Sequence, residues 1–301
     1  MQTAKTMDRV DWGLLLLLAL LWGGAYFFVG VAVRELPPLT VVLLRVAIAA
    51  CVMLPVVWWL GQRLPTAARA WLPFLGMGLL NNVLPFSLIF YGQTHITVGL
   101  SSVINALTPL FTVLVMAGFR EERLTAYRVL GVVLGVVGVA VLRGAGYDLA
   151  DAQVLGIGLC MAAALSYGFA GLWGRRYLAT VPPVTSATCQ LICSAAVMAC
   201  VVAVVDRPWE LGMPSVAVVW AILALAVLGT ALAYIVFFTL LVRAGASNVM
   251  LVTLLIPVIA IALGAVFLGE AVHASEVAGA LVIGAGLLCI DGRLVSWWRR
   301  P

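Results

Sequence analysis

Ten apolar stretches, bounded by charges, prolines and glycines and joined by short connections, constrain this chain more than any other feature. They run Trp12–Val33, Leu39–Leu60, Trp71–Tyr91, Val98–Gly118, Ala126–Leu142, Val154–Trp173, Val184–Val205, Val216–Leu241, Ala246–Leu268 and Ser275–Ile290. A bilayer core takes about 20 apolar residues per helical span, so the pattern reads as an all-α membrane protein with ten transmembrane helices. The longest connection, from Arg143 to Gln153, has no room for a soluble domain. Barrel strands are excluded, because the runs are twice their length and do not alternate.

Composition agrees. Charged residues are 10% of the 301 and hydrophobic ones 64%, with a mean hydropathy of +1.17. A soluble domain carries about 25% charge, which excludes a soluble enzyme, a nucleic-acid binder and a disordered chain. Acidic Asp8 and Asp11 interrupt the basic N-terminal region and no small-residue cleavage site follows, so the first run is expected to stay as a span. Cys51, Cys160, Cys189, Cys193, Cys200 and Cys289 all lie in apolar runs, where small polarizable packing residues are expected rather than disulfides or a zinc site.

Basic residues set the orientation. With a cytoplasmic N-terminus, the inner segments hold Lys5, Arg9, Arg63, Arg69, Arg120, Arg123, Arg128, Arg175, Arg176, Arg243, Arg293, Arg299 and Arg300, thirteen in all. The outer segments hold three, Arg34, Arg143 and Arg207. Both termini are therefore expected inside a cell inner (plasma) membrane.

The chain also repeats. Pro109, Glu122, Gly131 and Gly138 recur as Pro257, Glu270, Gly279 and Gly286, each 148 residues later. Trp22-Gly23 and Leu39-Thr40 recur as Tyr167-Gly168 and Val184-Thr185, 145 residues later. Two five-span halves, 1–145 and 146–301, follow. Five is odd, so the second half enters the membrane inverted, as in alternating-access transporters whose site lies between the repeats.

The first span's WGGAYFF, the second span's LRVAIAA, the fourth span's NALTPLFTVLVMAGFREERLT, the Pro257…LGE motif and the glycine-spaced tenth span resemble the EamA module of the drug/metabolite transporter superfamily. The resemblance covers nearly the whole chain and recurs in both halves. It implies a ten-helix basket around a central cavity, built from the first four helices of each half, with the fifth and tenth packed outside. Ten-span members include amino-acid and metabolite exporters such as the YddG-type proteins.

Polar groups at hydrocarbon depth need a reason. Arg45 in the second span either snorkels to the outer headgroups or caps a neighbouring helix end, or is an anchor or gate element that holds a carboxylate bidentately; its counterpart 145 residues on is Gln190. Asn81, Asn82 and Asn105 have Gly229, Thr230 and Thr253 as their counterparts 148 residues on. They serve helix–helix bonding or the recognition of a zwitterion. Trp22 with Tyr26, Phe86 with Phe90, and Tyr234 with Phe238 share helix faces that are candidates to line a cavity, as does Tyr91. Pro109 and Pro257 are candidate paired hinges. Gly131 and Gly135 form a GxxxG, for which packing within the chain is favoured over a dimer face.

No Asp or Glu sits mid-span, and no phosphate-binding loop, nucleophile triad or metal spacing occurs. His95 and His273 flank outer loops and read as ordinary surface histidines. The sequence thus predicts a transporter and not an enzyme, without cofactor or metal. Its partners are a small metabolite, amino acids foremost, and membrane lipid, but no nucleic acid, and it is a monomer or weak homodimer. Transport is expected outward and without ion coupling. A multidrug or organic-cation exporter is the alternative, with a lipid-modifying membrane enzyme further off; the first would be helped by a buried carboxylate, the second needs an interfacial His/Asp/Glu cluster.

Overall fold

The computed structural model describes residues 7–122, 124–143 and 151–291, and every regular element among them is helical. In chain order the apolar helices are α1 (Arg9–Ala32), α2 (Pro38–Trp59), α3 (Ala68–Gly92), α4 (Val98–Gly118), α5 (Ala126–Leu142), α6 (Ala152–Tyr177), α7 (Pro183–Val205), α8 (Val216–Ala244), α9 (Val252–Leu268) and α10 (Ala274–Ile290). Seven are long and apolar enough to cross a membrane, and α5, α9 and α10 are shorter. The expected joint between halves, with the boundary at 145/146, lies largely outside the described residues, as do Lys5, Arg123, Arg293, Arg299 and Arg300.

Helix starts follow local chemistry. Asp8 and Asp11 form a reciprocal capping box at α1. Helices α2 and α7 each open on a Pro-Pro pair, whose missing N–H and fixed φ suit a first turn.

Side-chain bonds show which ends lie together. Arg243 at the end of α8 donates to Asp11 at 2.8 Å and to Asp8 at 3.0 Å. Thr185 of α7 donates to Gln62, just past α2, at 2.6 Å, and Arg175 and Arg176 of α6 pair with Glu122 and Glu121 past α4. The opposite ends are joined by Ser215 to Glu35, Thr40 to Asp206 and Val98 to Glu270. Consecutive helices therefore run in alternating directions.

Two seams depend on glycine. A methyl on Gly23 of α1 would lie 2.7 Å from Cβ of Ile259 on α9, and one on Gly168 of α6 would lie 3.1 Å from the backbone of Phe111 on α4. With no hydrophobic driving force between helices in lipid, such close approach is what holds them. The GxxxG glycines are used within the chain: Gly131 lies against Gly286 and Ile290 of α10, and Gly135 against Leu110 of α4.

The helices are interrupted where the sequence alone gives little warning. Leu79–Val83 in α3 and Val227–Leu232 in α8 each form a turn of π-helix. Helix α4 is two segments, Val98–Asn105 and Thr108–Gly118. Pro109 sits in the first turn of the second segment, and its missing N–H leaves the Asn105 carbonyl to accept from the Thr108 hydroxyl at 2.7 Å. Pro257 instead lies inside α9, after a separate turn at Ala246–Val249. The two prolines thus sit differently: Pro109 begins a segment, and Pro257 lies inside a continuous one.

Candidate functional site

Arg45 projects from the middle of α2 and is only 8% exposed. Its Nε donates to Thr230 Oγ1 in the π-turn of α8 at 2.9 Å. Its guanidinium carbon stands 3.8 Å from the centre of the Phe86 ring and 5.8 Å from that of Phe90, both on α3. Tyr26, Tyr167 and Tyr234, one each from α1, α6 and α8, pack against the same core as Phe86 and Phe90. Among the described residues, the remaining nitrogens of Arg45 make no hydrogen bond and no carboxylate pairs with it. The guanidinium is thus buried among aromatic rings.

Beside it runs a neutral network. Asn81 Nδ2 donates to Gln190 Oε1 at 3.2 Å and approaches the Tyr234 hydroxyl at 3.4 Å. Tyr234 donates to Asn82 Oδ1 at 3.2 Å, and Asn82 Nδ2 donates to Ser194 Oγ at 3.0 Å. Ser194 in turn donates to the Gln190 carbonyl at 2.6 Å. The π-turn explains how two consecutive asparagines both join this network. One extra residue per turn spreads neighbouring side chains less than an α-helix does, and π-turns recur at functional sites.

Asn105 closes the first segment of α4. Its side chain faces the Tyr26 hydroxyl, while its Oδ1 is buried without a hydrogen bond. The assembly therefore offers unpaired guanidinium donors, an unpaired carbonyl acceptor and aromatic walls in one region.

The sequence-derived candidates divide. Arg45, Asn81, Asn82, Gln190, Tyr234, Phe86, Tyr26 and Asn105 converge. Trp22 packs instead on Phe237 at 5.4 Å, in the seam between α1 and α8. Tyr91 is exposed near the end of α3 and stands apart from the cluster. Thr230, Ser194 and Tyr167 join the site without having been singled out for it. Ser194 lies one helical turn beyond Gln190 on the same face, and Thr230 is the counterpart of Asn82. Among the described residues, no three His, Cys, Asp or Glu side chains are grouped to hold a metal.

Comparison with known proteins gives the family. A 26% identical relative over 280 residues, spanning 93% of this chain and 98% of its own, is named an uncharacterized transporter of Archaeoglobus fulgidus. A 27% identical relative over 292 residues, spanning 93% of this chain and 94% of its own, is named a probable amino-acid metabolite efflux pump of Salmonella typhimurium. A crystal structure covering 98% of this chain and all of its own superposes with a TM-score of 0.67 at 21% identity, which shows a shared fold. The model of the EamA-like transporter family matches residues 12–144 and again 154–290. The chain belongs to the EamA-like transporter family and is a membrane-spanning transporter, not an enzyme.

Proposed function

We propose that this transporter exports small metabolites bearing a carboxylate, amino acids first among them, across the cell's inner membrane. The unpaired guanidinium of Arg45 carries this reading. A charge buried without a counter-ion is costly, and a substrate carboxylate supplies the missing partner through charge-assisted bonds. The orphaned Oδ1 of Asn105 is the complementary acceptor for an α-ammonium group, and the Phe86 and Tyr167 side chains tolerate varied apolar substituents. The relative named as an amino-acid metabolite efflux pump supports the same class.

The mechanism is alternating access between two inverted five-helix halves, 1–145 and 146–301, around a central cavity. Supporting it, the π-turns of α3 and α8 begin 148 residues apart, and the Gly23–Ile259 seam has its counterpart in Gly168–Phe111. Both termini are cytoplasmic in this reading, because Arg63, Arg69, Arg128, Arg175, Arg176 and Arg243 gather at one end while Arg34 and Arg207 lie at the other. Pro109 and Pro257 act as hinges. The chain works as a facilitator, since no mid-span carboxylate is present to carry a proton or sodium ion. An organic-cation exporter is disfavoured by the lone buried cation at the site.

Counterflow in proteoliposomes tests the reading. Vesicles loaded with unlabelled amino acid and given no ion gradient should accumulate the labelled form transiently, and Arg45→Met should require about ten- to a hundred-fold more substrate to do so. Counterflow of organic cations but not amino acids would overturn the substrate class. Accumulation driven only by an imposed pH or sodium gradient would overturn the facilitator mechanism.

A further inference from the structure

The ends of α4 and α9 are treated differently at the two ends of the bundle. Glu122 and Glu270 occupy equivalent positions 148 residues apart, and each folds its own N–H back onto the preceding helix, to Met116 and to Gly264. Their carboxylates then diverge. Glu122 pairs with Arg128 at 2.8 Å and Arg175 at 3.3 Å. Glu270 reaches across to α4 and accepts the backbone N–H of Val98 at 2.9 Å. That N–H opens the helix and has no intrahelical partner, while the Thr97 hydroxyl caps Leu100. Glycines bring the three helices together here. Gly30 of α1 faces Val98 and Leu268, Gly99 faces Ile261, and Gly264 leaves room for the Glu270 carboxylate.

Beneath this closure lies Gln93, 8% exposed, with Nε2 and Oε1 both buried and both without a hydrogen bond. Its Oε1 points toward Gly30, the glycine that receives Val98. A fully unpaired carboxamide in a sealed site costs free energy that any opening of the seal would recover through water or a passing polar substrate.

We propose that the Glu270–Val98 bond is the latch of the gate at this end of the transport path, and that Gln93 is the strained element that biases the latch toward release. This rests on the alternating-access reading. The closed gate is held by one carboxylate on one helix N-terminus, and it is opposed by a carboxamide that is satisfied only when the gate is open. Gln93 is a positioning residue for the gate and a polar way-station on the exit path.

Hydrogen exchange of the full chain in lipid nanodiscs, read by mass spectrometry on the peptide spanning 94–105, reports the latch without substrate. Glu270→Ala should speed exchange about five-fold, the population change carried by one hydrogen bond, and Glu270→Gln, which keeps an acceptor oxygen, should restore most of the protection. Gln93→Met should slow exchange about five-fold or more. The 183–205 peptide should not change in any of the three, which separates gating from unfolding. Opposite shifts for Glu270→Ala and Gln93→Met support the latch; no shift, or shifts of the same sign, overturn it. Absence of any counterflow by the unaltered protein overturns the transport reading instead, and leaves the exchange result to be judged separately.

Discussion

Asp206, one residue past α7, caps α2 from across the bundle. It accepts the Thr40 backbone N–H at 2.9 Å and the Thr40 hydroxyl at 2.7 Å. The residue before α2 is Pro37, which has no capping side chain, so a distant carboxylate satisfies a terminal donor and opposes the positive end of the helix.

Asp206→Ala should therefore cost about 1 kcal/mol, the usual worth of an N-cap. The neutral counterpart, Thr185 on Gln62, carries no charge, and Thr185→Val should cost less. Paired thermal melts in one detergent check the order. Equal losses would contradict the capping role.

Arg45→Met should separate stability from function. It removes a buried cation that no carboxylate balances, so the unfolding midpoint should hold or rise. The apparent KM for a carboxylate substrate should increase about ten- to a hundred-fold, the weight of a charged hydrogen bond. Arg45→Lys keeps the charge but loses the planar fork, and should fall between. Melting curves and counterflow on the same preparations read both effects.

Asn82 and Ser194 should behave as a coupled pair. Both are fully buried and bonded to each other at 3.0 Å. Either alanine variant should destabilise by about 1–3 kcal/mol, with the double variant short of additive by at least about 0.5 kcal/mol. Asn105→Leu removes an acceptor that is already unbonded, so it should spare stability and raise KM for zwitterions.

Glu35, in the connection after α1, accepts from the Ser215 backbone and hydroxyl, both at 2.7 Å, and these bonds hold its carboxyl below the ordinary glutamate range. The unfolded chain binds this proton more readily. The stabilisation is therefore present above the ordinary glutamate pKa and is lost as pH falls through the lowered folded value. The melting difference between the unaltered protein and Glu35→Gln should be constant near neutral pH and shrink as the medium is acidified below the ordinary glutamate range.

The helical course was largely legible in the sequence, because apolar length and flanking charge are imposed directly by the bilayer. Arg45 and the asparagines were legible for the same reason: a polar side chain among apolar ones at membrane depth stands out. Their partners were harder to foresee. Thr230 and Ser194 are common in apolar helices, and what enlists them is the crossing of α8 and α7 with α2 and α3. Pro109 is legible only as a break, because a proline looks the same in sequence whether it bends a helix or begins one. Tyr91 shares a span with Phe86, but the turn of the helix carries it to the surface. Gln93 gave no signal near a span end, where a glutamine is ordinarily hydrated.

The two π-turns make register an adjustable quantity in this bundle. Each accommodates one residue more than an α-helical turn, and each residue of an α-helix swings the chain beyond it by about 100°. Deleting one residue from Leu79–Val83 would let the turn close as an α-helical one, leaving Phe86 facing Arg45 while breaking the joint presentation of Asn81 and Asn82. The same edit in α8 would act on Thr230, the partner of Arg45, and leave Tyr234 in place. A lineage of such chains can thus exchange which side chains line the interior by gaining or losing a single codon, with every surviving amino acid unchanged.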